Sequence, residues 1–547
     1  MGWRGRTHHL HVRSLSNRGA TLTGVCHVPD KTRPLTWAPW AARPGATLAF
    51  VGLITLVRLV YLIWLCPYTL AEDEAHYWEW SRHLDWSYYS KGPGVAWVIA
   101  LSTSLFGNTE WAVRLPAAIS SAIGSLAVAD TARNLSDDRR VGFVAAVLYQ
   151  CVPPFAALSM LMTIDGPYLA CWALACMAAV RATRNHTSRW MVITGLFLAL
   201  GFLFKYTIVL LAIGLGAAAI IHHRRSRLPL SGSLGAIAAF ALGLIPVLIW
   251  NAQHDWVTLR HLLGHLGLPG GDLPPSQGTN GWHYSPLWTL EYLAMLLIAG
   301  PPLFVGPIAA AKLWSTKPAS RILTLASVPV LVFYLVVSLA APTEGNWALG
   351  GFVGLVPLSS VVIPRAIENR RIPIRFAWRC SIVIGLATLV GFMALPWLAS
   401  RPQFGHLVPI QRITGMRQLA QAATQRLQLL REQTGLEPFL VTEHYGRASQ
   451  LAFYMPGHPT VYCAGSFVPG ARKSQYDLWP QTNLRNPETI QRLQDRPALI
   501  FGGQAKFWMQ GFDHVEDIGP LPGEPKANRT TYHALRFRGF EPQPPSP

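Results

Sequence analysis

The chain has 547 residues, 51% of them hydrophobic and only 13% charged, with a mean hydropathy of +0.26. A soluble domain carries about 25% charged residues, so the composition excludes an ordinary soluble protein and marks an integral membrane protein. The formal charge of +19 fits either nucleic-acid binding or the basic cytoplasmic loops of a membrane protein, and its distribution along the chain separates the two.

Residues 1–45 are polar, bear Arg and Pro and lack periodicity. They read as a disordered cytoplasmic tail or an overlong gene start. Apolar runs of spanning length, about 20 residues, follow near 46–66, 111–130, 140–158, 163–181, 189–204, 206–222, 233–250, 288–311, 321–341, 347–364 and 377–398. That is eleven expected spans in a membrane domain over 46–398. The first run meets a charged stretch with no small-residue cleavage pattern, so it reads as a retained anchor. Lys and Arg in alternating loops fall twenty-four to one side and four (Arg82, Lys91, Lys205, Arg260) to the other. The rich side, which includes the N-terminus, is expected in the cytoplasm. The charge is then accounted for without nucleic acid. An odd span count places residues 399–547 outside, together with the loops 67–110 and 251–287. The seven cysteines lack metal-type spacing and read as small buried hydrophobes.

Between the first two spans lies "AEDEAHYWEWSRHLDWSYYSKGPGVAW", residues 71–97, the densest ionisable cluster of the chain. Asp73, His76, Tyr77 and Trp80 fall at helical spacing, so they can share one face of a short helix along the membrane surface. The aromatic residues alone fit simple interfacial anchoring. Asp73 differs: a carboxylate beside apolar surface has its pKa pushed upward, which suits a general base. Asp165, in "LMTIDGPY", stands at the rim of two apolar runs, where ionisable groups are functional candidates. Lys91, between Ser90 and Gly92, offers a compact cation for a phosphate, with glycines permitting close backbone approach. Lys205, inside "LGFLFKYTIVLL", is a second such cation or a snorkelling rim lysine. Glu74, His76, Tyr88, Tyr89 and Asn346 of "EGNW" are substrate-binding candidates, Asn346 having helix capping as its plain alternative. The loop 251–287, with "GLPGGDLPPSQGTNG", reads as a mobile cover or a linker. From residue 400, an amphipathic stretch "GMRQLAQAATQRLQLLREQTG" and short apolar runs "PFLVTEHY", "PTVYCAG" and "PALIFGG" predict a small α/β domain. Two carboxylates with cations in a lipid-facing cleft suit transfer from a lipid phosphate. A transporter or lipid flippase lined by the same residues fits nearly as well, although the chain carries no internal repeat of the kind common in transporters.

The stretches "EDEAHYWEWSRHLDWSYYSKGPGVAW", "LFGNTEWAVRLPAAISS", "LMTIDGPYLACWALA", "GLFLALGFLFKYTIVLL", "PVLIWNAQHDW" and "EGNWALGGFVGLVPL" resemble, in order and spacing, the bacterial GT-C glycosyltransferases. The nearest group is the one related to protein O-mannosyltransferases and 4-amino-4-deoxy-L-arabinose lipid A transferase. The resemblance implies an α-helical polytopic GT-C-like membrane fold with a C-terminal α/β extracytoplasmic domain, in the bacterial inner membrane. It implies a polyprenyl-phosphate sugar donor, an acceptor that is a lipid, a glycan or a protein, and inversion at the anomeric carbon. By the same resemblance Asp73 matches the catalytic aspartate of the first outer loop, Asp165 the second outer-face aspartate, and Lys91 the lysine that holds the donor phosphate, with Lys205 a second candidate. The arabinose transferases carry a metal-associated glutamate just before that lysine, where this chain has Ser90. No metal ligand and no cofactor is therefore predicted, and a divalent metal is left open.

Overall fold

The computed structural model describes residues 37–547 except 227–228, 266–267, 269, 273–283, 299, 301, 400, 402–412, 469–470, 524–529 and 541–547. Most of the expected tail lies outside the described residues. Its last part does not read as disordered: Pro39–Ala42 form a 3-10 helix, the Trp37 backbone N–H donates to Glu368 Oε1 at 3.3 Å, and Trp37 packs edge-on against Trp378. The apolar signal there was too short for periodicity to register.

Among the described residues, six helices are long and apolar enough to cross a membrane: Gly45–Leu65, Glu110–Leu135, Leu230–Gln253, Pro318–Val337, Gly350–Glu368 and Ile372–Ala399. Each coincides with one of the eleven expected runs. Glu110–Leu135 and Gly350–Glu368 are mostly buried and form the centre, whereas Ile372–Ala399 turns Val383, Leu386 and Val390 outward. Other expected runs are broken by proline, which cannot donate to the helix ladder. The run 140–158 is two helices, Arg140–Cys151 and Pro153–Leu158, and 288–311 is Pro286–Ile298 followed by Pro302–Leu313.

The C-terminal part builds a five-stranded sheet from β1 (Phe439–Thr442), β2 (Val461–Cys463), β3 (Ala498–Phe501), β4 (Phe512–Asp517) and β5 (Thr531–Phe537) in the order β2-β1-β3-β5-β4. Strand β1 pairs in parallel with β2 and β3, with Leu440 opposite Val461 and Leu499, while β5 is antiparallel to β3 and β4. Alternate residues of a strand face opposite sides, and here the two sides face two cores. Leu440, Leu499 and Phe501 join the core that continues into the helical bundle. Phe439, Val441, Ala498 and Ile500 face a second core with Trp508, Phe512 and Phe537. The amphipathic stretch is the helix Met416–Thr434, which buries Met416, Leu419, Ala420, Ala423 and Leu430 along one stripe.

Two contacts lock the charged stretch between these layers. The helix Glu72–Arg82 packs against the helix Tyr445–Tyr454, with Trp78 edge-on to Phe453 and Gln450 donating to the Leu70 carbonyl at 2.9 Å. Gly446 is required there, because a Cβ would stand 2.5 Å from the Glu72 Cβ. On the bundle side, Arg114 Nε and Nη2 donate to Glu74 Oε1 and Oε2 at 2.8 and 2.7 Å. The Met162 N–H also donates to Oε1 at 2.8 Å, and Arg114 reaches the Tyr68 and Thr69 carbonyls. Both side chains are almost wholly buried. Removing one partner of a buried pair leaves an uncompensated charge, which costs about 3–5 kcal/mol. Glu74→Ala and Arg114→Ala are each expected to lower thermal stability strongly in detergent, and the double variant by less than the sum of the two. Thermal unfolding followed by size-exclusion chromatography checks this, and unchanged midpoints would contradict the clamp.

Candidate active site

With Glu74 turned into the bundle, its neighbour Asp73 points about 100° away around the same helical turn and is exposed. Among the described residues its carboxylate accepts no hydrogen bond and forms no ion pair. It lines a recess reachable by water but walled by protein. That crowding pushes its pKa above the usual carboxylate range; Lys91 pulls it down, Glu72 pushes it up, His444 pulls it down and Glu344 pushes it up. Lys91 lies in the turn before the helix Gly94–Phe106. Gly92 lets this turn sit on the end of the helix Ser188–Phe204, since a Cβ there would come within 2.3 Å of the Leu203 carbonyl oxygen. The glycine read as admitting a phosphate thus admits a neighbouring backbone, which brings Lys91 towards Lys205. Burial pushes the Lys91 ammonium below its ordinary value, Lys205 adds to this, Asp165 and Asp73 act against it, and Arg472 lowers it further. Lys91 too is without an ion pair among the described residues.

Asp165 is the first residue of the helix Asp165–Asn185, and it is buried and fully engaged. Lys205 Nζ donates to its Oδ1 at 2.7 Å and Asn346 Nδ2 to its Oδ2 at 2.8 Å. Lys205 also reaches the Asn346 carbonyl at 3.3 Å. The structure therefore brings Asp165, Lys205 and Asn346 together as one closed unit beside Lys91. The Lys205 ammonium is spent on Asp165 rather than held out for a phosphate.

Three other candidates lie away from the recess. Glu74 is held by Arg114. His76 is buried: Trp80 Nε1, which can only donate, bonds its Nε2 at 3.1 Å, so its proton sits on Nδ1, 3.0 Å from Ser449 Oγ. Burial, with His444 adding, holds its pKa down at about 3, so the ring is a neutral strut between helix and sheet domain. Tyr88 is buried, its hydroxyl donating to the Trp80 and His83 carbonyls. Tyr89 is closer to the site. Its hydroxyl bonds Asp272, whose Oδ2 also accepts from His261 Nδ1 at 2.9 Å. His261 Nε2 lies 3.1 Å from His265 Nε2, and Arg472 Nη1 donates to that same atom at 3.1 Å. Burial holds both histidines at about 4. For Asp272, burial acts upward but the Tyr89 and His261 bonds outweigh it, so it stays ionised.

This chain of contacts, with His444 and Tyr445 near Asp73, was not singled out as a site from the sequence. Asp272 sits in the stretch expected to be a cover, whose residues 273–283 lie outside the described residues. Arg472 sits in the sheet domain, in "GARKSQYDLW". Among the described residues no three His, Cys, Asp or Glu side chains form a group fit for a metal. Glu74 and His76 are already bonded elsewhere, to Arg114 and to Ser449 and Trp80. The residues present do not fit the family's metal, and no step is routed through one.

The helical bundle carries a two-sided sheet domain, with the open Asp73 carboxylate at their junction. A family model, dolichyl-phosphate-mannose-protein mannosyltransferase, matches residues 90–250. The lipid A galacturonosyltransferase RgtD of Rhizobium johnstonii is 29% identical over 293 residues, 51% of this chain and 58% of that protein. Undecaprenyl phosphate-alpha-4-amino-4-deoxy-L-arabinose arabinosyl transferase 2 of Proteus mirabilis is 25% identical over 381 residues, 64% of this chain and 66% of its own length. The chain thus spans less than two thirds of the length of these two curated relatives. The structure of ArnT from Cupriavidus metallidurans bound to undecaprenyl phosphate has a similar fold, with a TM-score of 0.58 at 15% identity, covering 90% of this chain and 98% of that one. The chain is related to GT-C glycosyltransferases of the arabinose and protein mannosyl transferase kinds.

Proposed function

We propose that this protein is a membrane glycosyltransferase that moves one sugar from a polyprenyl-phosphate donor to a hydroxyl of an envelope lipid on the outer face of the membrane, with inversion. The observation that carries the reading is the pair Asp73 and Lys91: a carboxylate and a cation, each without an ion pair among the described residues, in one recess where Asp165 and Lys205 are already paired with each other. The names of the relatives, which act on lipid A or use an undecaprenyl-phosphate sugar, support a lipid A-type acceptor over a glycan or protein.

In this reading the donor phosphate lies against Lys91, with Arg472 nearby. The acceptor O–H points at Asp73. The acceptor oxygen forms its bond to the anomeric carbon as the bond from that carbon to the phosphate oxygen breaks, and the hydroxyl proton passes to Asp73. Lipid phosphate departs with its charge held by Lys91, so no strong general acid is required. Asp165, fixed by Lys205 and Asn346, orients the sugar or acceptor from the rim. A burial-raised carboxylate is the better base for this step, because general bases work best with pKa values near the ambient pH.

Asp73→Asn keeps the shape and removes the base. Turnover of the purified variant with a polyprenyl-phosphate sugar is expected to fall about 10²- to 10⁴-fold with unchanged expression, and near wild-type turnover would refute the role.

Lys91→Ala is expected to weaken donor use about ten- to a hundredfold, the scale of losing a charged hydrogen bond, while Lys91→Arg retains part of it. The pH profile of kcat/KM adds a signed check. Asp73 must be deprotonated, and its raised pKa puts the acid limb above the ordinary carboxylate value of about 4. Lys91 must be protonated, and its lowered pKa puts the alkaline limb below the ordinary lysine value of about 10.4. Lys91→Arg should push the alkaline limb out of range, and an unmoved limb would assign it to another group.

A further inference from the structure

The helix that starts at Asp165 ends at Asn185, and at that far end, remote from the candidate active site, lies a cavity of about 670 Å³. Its volume is within the range of about 300–1,000 Å³ for ligand sites. It is walled by the ends of the helices Glu110–Leu135 and Asp165–Asn185 and by the first turn of Pro318–Val337. Four cations line it, Arg133, Arg139, Arg184 and Lys317, against one acid, Asp137.

The neighbourhood does contain other carboxylates, but they are consumed. Arg181 takes Asp130 at 2.6 Å, and Arg140 takes Asp138 and Glu368 at 2.8 Å each. Arg133 bonds only the neutral Thr47 hydroxyl at 2.7 Å, and Arg184 the neutral Asn134 oxygen at 2.8 Å. The side chains of Arg139 and Lys317 make no ion pair or hydrogen bond among the described residues. Four like charges around one cavity repel unless an anion enters, and the N-terminal end of the Pro318–Val337 helix adds its partial positive charge.

We propose that this cavity binds the phosphate headgroup of an anionic phospholipid from the leaflet opposite the active site. Three features select that occupant. The segment 1–36 carries six Arg and Lys against one Asp, the wrong charge to fill a basic cavity. The lining contains no aromatic side chain among the described residues, so a nucleotide would find no surface on which to stack its base. Leu135, Val180 and Ala319 alternate with the cations in the wall, and basic pockets between spanning helices on the cytoplasmic side suit lipid headgroups.

The test is anisotropy of a fluorescent phosphatidylglycerol added to the purified full chain in neutral detergent micelles. Arg139→Gln/Lys317→Gln should bind about thirtyfold more weakly, each surface-proximal cation contributing about fivefold. Arg371→Gln/Arg379→Gln, which removes the same charge from exposed residues outside the cavity, should bind as the wild type does. Should the double variant fail to fold, judged by its circular dichroism, Arg139→Gln alone should still show the fivefold loss. Unlabelled phosphatidylglycerol should displace the probe and phosphatidylcholine should not. Equal losses in the two double variants would reduce the effect to diffuse surface charge and overturn the site. Displacement by ATP but not by phosphatidylglycerol would overturn the lipid assignment.

Discussion

The arrangement depends on the buried pair of Glu74 and Arg114. A carboxylate and a guanidinium are tolerated inside an apolar bundle only when every donor and lone pair is matched, and here the fork-to-fork contact is completed by the Met162 N–H and two backbone carbonyls. This contact holds the first turn of the Glu72–Arg82 helix against the helix Glu110–Leu135. Successive residues of a helix point about 100° apart, as 3.6 residues per turn require, so pinning Glu74 inward leaves Asp73 facing the recess. The sheet domain closes the other side of the same helix through Gly446, Gln450 and Phe453, so the turn that carries Asp73 is gripped from both layers.

The same logic separates the ionisable groups of the recess into two kinds. Asp165, Lys205 and Asn346 bond one another, and Tyr89 and His261 both bond Asp272 Oδ2; such networks rigidify the walls. Asp73 and Lys91 are left open among the described residues, and each has its pKa moved towards neutrality by crowding. A carboxylate raised and an ammonium lowered beside each other suit proton and phosphate chemistry. The sheet domain reaches the same surroundings, because Arg472 bonds His265 and His444 acts on Asp73.

Much of this could be read from the residues in order. The long apolar runs give the spanning helices because burial in lipid demands about 20 residues, and the period of the stretch at 416–434 gives its buried stripe. Asp73 and Lys91 stand out in the sequence as candidates because a carboxylate and a lysine among aromatics at a membrane boundary have few structural uses. Glu74 and His76 were misplaced for a specific reason: at one and three residues from Asp73 their direction depends on partners distant in sequence, Arg114 and Ser449. Lys205 was read as a free cation because its partner Asp165 lies forty residues away. Asp272 and Arg472 were hidden in loops, where no periodicity reports what a side chain meets.

The central claim is that one open carboxylate acts as a base in a single displacement. The most direct measurement is the anomeric configuration of the product formed by the purified protein from a polyprenyl-phosphate sugar, read from the one-bond carbon–proton coupling at the anomeric centre by NMR. The account predicts a configuration opposite to that of the donor. A product that retains the donor's configuration would mean two displacements through a covalent glycosyl-enzyme, with Asp73 as nucleophile rather than base, and would contradict it.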